Sequence, residues 1–183
     1  MLVGKSVEVA VSLPSDREIA FTCHFQRRAR LLFEAWTTPE HLRHWWGCEG
    51  SSITHCAIDL RAGGSWSLVM RMADGSEHPF HGTYREILRP HRLVYTECYE
   101  MPRLGSPEWL TTVTFEEAQG ETLVTHIIQH KSREVRDAHL QSGMEQGIVH
   151  TWTRLNEHTA AMEQVQSPNH GDNTRNGNEI TRS

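Results

Sequence analysis

The chain has 183 residues and a formal charge of −5, with 13 histidines against 18 lysines plus arginines. At 37% hydrophobic and 22% charged, its composition is that of an ordinary globular protein, neither disordered nor fibrous. The acidic balance excludes a general nucleic-acid binder, which needs a concentrated basic surface. Apolar runs reach only three residues, as in Leu31-Leu32-Phe33 and Leu68-Val69-Met70, which excludes a membrane-spanning helix and a signal-peptide core.

The four cysteines, Cys23, Cys48, Cys56 and Cys98, form no CxxC pair and read as free thiols of a reducing compartment, with the cytoplasm as the expected location. Residues 1–14 form an extension in which Val7 to Leu13 alternates like a short strand until Pro14 stops it. Residues 15–164 form the expected domain. Residues 165–183 hold only Val165 and Ile180 as apolar residues, too few to offset chain entropy, and read as a disordered tail.

Within the domain, Ile19–Phe25 reads as a strand and Leu31–Trp36 as a short helix. Thr38 as N-cap and Pro39 at the first helical position predict a second short helix through Trp45, ended by Gly47. Six strand-like segments follow: Ser52–Leu60, Ser65–Met72, Phe80–Leu88, Arg92–Tyr99, Leu110–Glu117 and Glu121–His130. Turn signals at Gly63-Gly64, Asp74-Gly75, Pro90 and Gly120 separate them, and a loop with Pro102, Gly105 and Pro107 follows Tyr99. From Ser132 the period becomes helical, with Met144, Ile148, Trp152, Leu155 and Met162 on one stripe. A run of strands closed by a helix predicts an α+β fold. A curved sheet around such a helix leaves a cavity, and Gly143 and Gly147 make room beside the stripe.

Several segments carry a family resemblance. They are Leu13-Pro14-Ser15-Asp16-Arg17-Glu18-Ile19, Phe33-Glu34-Ala35-Trp36-Thr37-Thr38-Pro39-Glu40-His41-Leu42, Trp45-Trp46-Gly47, Asp59-Leu60-Arg61-Ala62-Gly63-Gly64-Ser65-Trp66, Gly82-Thr83-Tyr84-Arg85-Glu86-Ile87, Pro90-His91-Arg92-Leu93-Val94-Tyr95-Thr96 and Gly143-Met144-Glu145-Gln146-Gly147. In this order and spacing the chain resembles bacterial proteins related to the C-terminal domain of the activator of Hsp90 ATPase, within the START-like, Bet v 1-like (SRPBCC) superfamily. The resemblance implies a helix-grip fold: six or seven antiparallel strands curved around a long C-terminal helix, with two short helices after the first strand. It implies an apolar ligand cavity and names neither ligand nor reaction. The chain departs from the family at Gln26 to Arg30, where a proline is usual, and at Ile148, where an aromatic is usual.

The expected cavity lining joins Trp45 and Trp46, at the mouth, to residues given by strand alternation and the C-terminal helix: Trp66, Leu68, Met70, Phe80, Tyr84, Tyr95, Tyr99, His126, Met144, Gly147, Ile148 and Trp152. Trp36 reads as packing. His41 and His44 share a helix face near Cys48, His55 and Cys56, but this spacing fits no zinc template, and no metal or cofactor is expected. The run Arg27-Arg28-Ala29-Arg30 reads as a solvated helix start rather than an anion or membrane patch. No nucleophile motif or phosphate loop is present.

The expected function is therefore binding of a small hydrophobic or aromatic molecule, without membrane insertion. One alternative is a cyclase, aromatase or lyase using polar groups in the cavity, with Arg71, Tyr84, Glu86, Glu97 and His126 as candidates. Another is a co-chaperone partner of an Hsp90-type chaperone.

Overall fold

The structure, a computed structural model, describes residues 6–100 and 107–166. The expected tail from 167 onward, and the loop positions Pro102 and Gly105, lie outside the described residues. The elements in chain order are β1 (Ala10–Ser12), β2 (Glu18–Phe25), α1 (Ala29–Thr37), α2 (Pro39–Trp45), β3 (Ser52–Ile58), β4 (Ser65–Arg71), β5 (Glu77–Leu88), β6 (Arg92–Tyr99), β7 (Glu108–Ala118), β8 (Glu121–Gln129), α3 (Arg133–Gln141) and α4 (Met144–Gln166). This is the α+β helix-grip arrangement. The eight strands form one antiparallel sheet ordered β1-β2-β8-β7-β6-β5-β4-β3, in which the short N-terminal strand takes the edge beside β2.

Period-two alternation places one face of each central strand against the helices. On β2 these are Ile19, Phe21, Cys23 and Phe25, all at most 2% exposed. On β8 they are Thr122, Val124, His126 and Ile128, followed by His130; on β7, Trp109, Thr111, Val113 and Phe115. Each large side chain so buried contributes about 1.5–3 kcal/mol relative to exposure. The sheet presses close at Gly82, where a Cβ would lie 1.7 Å from the Thr96 carbonyl oxygen. That approach lets the Trp66 indole N–H donate to the same oxygen at 3.1 Å.

α1 starts without an acidic side chain in its first turn, and its N-cap, Arg28, offers no acceptor. Glu117 of β7 supplies one instead: its Oε2 accepts from the Ala29 amide at 2.8 Å, and its Oε1 faces Arg28 at 3.5 Å. The basic run is thus met by acids, since Arg27 also pairs with Glu163 of α4 at 3.5 Å. Thr38 has the extended N-cap conformation before Pro39, but its side chain makes no capping bond. Gly47, at φ +111°, follows the end of α2, and its carbonyl accepts from the Thr151 hydroxyl of α4 at 3.0 Å.

The single long C-terminal helix expected from Ser132 is two helices. Ser132 caps α3 by accepting from the Val135 amide at 3.4 Å. The chain then breaks at Ser142-Gly143, with Gly143 at φ +85°. A left-handed glycine ends a helix because no Cβ opposes that conformation. On α4 the predicted stripe divides in two. Trp152, Leu155 and Met162 are buried, whereas Met144 and Ile148 are only half-buried at the end nearest α3. No described helix is long and apolar enough to cross a membrane.

Candidate functional site

Between the sheet and the first half of α4 lies a partly open cavity of about 790 Å³. Its floor is the inner face of β4 to β8. Its sides are the end of α2 with the following Trp46-Gly47-Cys48, the outer part of α3, and the first turns of α4. The open space has a sequence cause. Along its first turns α4 presents Met144, Gly147, Ile148 and Thr151, and a Cβ built at Gly147 would meet nothing within 4 Å.

The walls are mainly aromatic. Trp45 is 1% exposed, and its indole N–H donates to the Ala35 carbonyl at 3.0 Å, which locks the ring. Trp36 packs on it at 4.8 Å and lines the cavity as well as the core. Trp46 points the other way and meets Phe80 edge-on at 4.9 Å; Phe80 in turn stacks on Tyr99 at 4.6 Å. The Tyr99 hydroxyl is bonded to His78 Nδ1. At the α2 side, Cys48 Sγ lies 3.5 Å from Met72 Sδ and 3.9 Å from Met70 Sδ.

One end of the cavity is polar. Strand register sets Glu97 of β6 opposite Trp109 of β7, and the Leu110–Gln129 pairing brings Trp109 beside His130 after β8. α3 adds His139, whose Nδ1 is bonded to His130 Nε2 at 3.3 Å and whose ring lies 4.9 Å from Trp109. Deeper in, His126 sits among Trp36, Phe21 and Trp152, with ring centroids at 6.0, 6.3 and 6.3 Å. His130 Nδ1 and both ring nitrogens of His126 are buried without a hydrogen-bond partner among the described residues. Burial pushes the Glu97 carboxyl up to about 7, against a smaller opposing effect of the Trp109 side chain. Burial also lowers the histidines. His126 falls to about 4, with His139 adding to the effect, and His139 falls to about 4, with His130 adding. His130 is lowered by burial and then by the charge of Arg136. At neutral pH these imidazoles are therefore uncharged. Arg136 is itself buried but engaged elsewhere: its Nε meets Asp137 at 2.6 Å, and its Nη1 donates to the Ser15 carbonyl at 3.1 Å.

The structure brings Trp45, Trp46, Met70, Phe80, Tyr95, Tyr99, His126, Met144, Gly147, Ile148 and Trp152 to this one cavity. Trp66, Leu68 and Tyr84 do not line it, which corrects the expectation for them. They face the concave side, as alternation requires, and are buried. However, Trp66 and Tyr84 both pack edge-on against Tyr95, at 5.7 and 5.8 Å, and fill the space there.

Of the polar candidates, Arg71 and Glu86 are exposed and paired with Glu77 and Arg92. Glu97 and His126 face inward. His41 and His44 turn to His158 of α4. His41 Nδ1 lies 3.1 Å from His158 Nε2, and the His44 ring stacks on His158 at 4.7 Å. Among the described residues no group of three His, Cys, Asp or Glu side chains converges on a metal position.

Trp109 and His139 escaped the sequence reading. Starting β7 at Leu110 left Trp109 just outside the alternation, and reading α3 as the start of α4 hid the element that carries His139.

Comparison with known proteins bears on the fold. Residues 26–160 match the family model described as activator of Hsp90 ATPase homolog 1-like protein. Among solved structures, a protein from Rhodobacter sphaeroides is 25% identical, with 85% of this chain and 99% of that one covered, at a TM-score of 0.78. A protein from Nitrosomonas europaea is 22% identical, with coverage of 83% and 99% and a TM-score of 0.75. The AHSA1-like protein from Aeromonas hydrophila is 21% identical, with coverage of 85% and 99% and a TM-score of 0.63. No curated protein sequence matches.

Proposed function

Because the chain belongs to the activator of Hsp90 ATPase homolog 1-like family, a helix-grip family whose fold leaves room between sheet and helix, we propose that it is a small-molecule binding protein. The ligand occupies the cavity beneath the first half of α4. The observation that carries this reading is the cavity itself. About 790 Å³ is in the range of pockets that take drug-sized molecules, and its wall is mainly apolar with a few polar groups at one end. A plain packed core closes to near-crystalline density, whereas this space stays open between the sheet and α4.

The test uses Nile red, a neutral solvatochromic dye, titrated into the full chain. Saturable fluorescence enhancement is expected. It disappears in Gly147→Phe, whose ring would enter the open space beside α4. No enhancement with the wild-type chain, or full enhancement with Gly147→Phe, would sink the reading.

A second reading rests on Glu97 and His126, two titratable groups facing the same space with pKa values displaced to about 7 and about 4. A carboxyl poised near neutrality suits acid–base work on a bound substrate of the cyclase or lyase kind. Under this reading Glu97→Gln abolishes turnover of a bound compound and leaves its binding intact.

A further inference from the structure

We propose that the cavity selects a lipophilic amine cation, with an apolar, flat body held among the rings and the protonated nitrogen placed beside Glu97. This rests on the reading of the cavity as a ligand site.

The first ground is the charge inventory. Among the described residues that line the cavity there is no lysine or arginine, whereas two carboxyl groups are present, Glu97 within it and the exposed Glu134 at its edge. The buried guanidinium nearest this end, Arg136, is outside the lining and engaged by Asp137 and the Ser15 carbonyl. A carboxylate ligand would lose its hydration here and find no lysine or arginine among the described lining residues, which is costly. A cation meets the opposite situation.

The second ground is the wall. Trp36, Trp46, Tyr95, Tyr99, Trp109 and Trp152 line the cavity, and an aromatic ring attracts an ammonium placed over its face through its negative quadrupole. The third ground is the set of unpartnered atoms. Among the described residues, His126 and His130 have ring nitrogens without partners, and a neutral imidazole offers one of its nitrogens as an acceptor beyond Glu97. Trp109, which register places opposite Glu97, turns its indole N–H to that carboxyl and favours the carboxylate.

A proton follows from this. The titratable groups facing the space with Glu97 are Tyr95 and Tyr99 on β6, His126 on β8 and His130 just after it, Glu134 and His139 on α3, and Cys48 after α2; the lining of α4 adds none. Glu97 is the inward group whose ionisation falls near neutrality. An adjacent ammonium favours its carboxylate, so amine binding at pH 7 expels to solvent the proton that about half of the molecules still carry on Glu97.

The experiment is isothermal titration calorimetry on the full chain with three matched probes: 2-naphthylmethylamine, 2-naphthylmethanol and 2-naphthoate. The amine is expected to bind about tenfold tighter than the alcohol, with the carboxylate weakest. Amine enthalpies should vary with the ionisation enthalpy of the buffer in the sense of proton release, and alcohol enthalpies should not. In Glu97→Gln the amine falls to the level of the alcohol, while unchanged alcohol binding reports an intact fold. Equal amine and alcohol affinities, a carboxylate that binds as well as the amine, or an amine preference that survives Glu97→Gln would each overturn the selection while leaving the cavity reading in place. Failure of all three probes together with Nile red removes the cavity reading and this inference with it.

Discussion

At the start of α1, the Ala29 amide donates to a carboxylate that is 88 residues away in sequence. The local sequence there, Arg27-Arg28-Ala29-Arg30, is unfavourable to a helix N-terminus, because cations oppose the helix dipole. Glu117 reverses this by putting a negative charge and an acceptor at the terminus. Glu117→Ala is therefore expected to lower stability by about 1 kcal/mol, the usual cost of losing an N-terminal cap. The Arg28 side chain is largely exposed at 3.5 Å from Glu117, so Arg28→Ala should cost under about 0.5 kcal/mol. Urea unfolding of both variants checks the pair. Equal losses would assign the effect to the ion pair rather than the cap.

Two glycines of similar appearance in the sequence act oppositely at the level of the helices. Gly143, at φ +85°, divides α3 from α4. Gly147 lies within α4, where a Cβ has open space. Gly147→Ala should stabilise the protein by about 0.5–1 kcal/mol through helix propensity. Gly143→Ala should destabilise it by about 1 kcal/mol, since alanine resists the left-handed conformation. Thermal unfolding of the two variants gives shifts of opposite sign if this placement holds. The apolar stripe on α4 was legible from Met144 to Met162. The break was not, because a glycine inside a helical period looks the same whether it kinks, ends or merely thins the helix.

At the scale of the whole molecule, the histidines reappear as an acid sensitivity. His126, His139 and His158 are held to about 4 in the folded state, and His130 is lowered as well, whereas an unfolded imidazole titrates near 6.5. Their contribution to stability is present above pH ~6.5 and is lost as pH falls toward about 4, because the unfolded chain takes up protons first. Glu97 works the other way. Its folded value near 7 lies above the ordinary carboxyl value of ~4.3, so its contribution is full below pH ~4.3 and is lost as pH rises through 7. The deeply buried His126 and His139 together outweigh one carboxyl, each adding at most about 1.4 kcal/mol per pH unit, while solvent screening reduces the share of the more exposed His130 and His158. The unfolding temperature should therefore drop between pH 7 and pH 4.5, and Glu97→Gln should steepen that drop. A stability that is flat over this interval would contradict the burial of the imidazoles.

The amino-acid sequence by itself determined the α+β class, the family, the order of elements as far as Ser132 and most of the larger aromatic residues of the cavity wall. These depend on periodicity and turn chemistry, which are local, and on motifs such as Trp45-Trp46-Gly47 that the chain carries intact. Tertiary structure decided where the cavity is open and what its polar end contains. Trp66 and Tyr84 face the same side as Tyr95, yet the rings close on one another there and leave the space near Glu97 instead. The row of Glu97, Trp109, His130 and His139 is assembled by strand register across three neighbours and by a helix that folds back over them. Register and helix docking depend on contacts between residues far apart in the chain, and no period within a single segment encodes them.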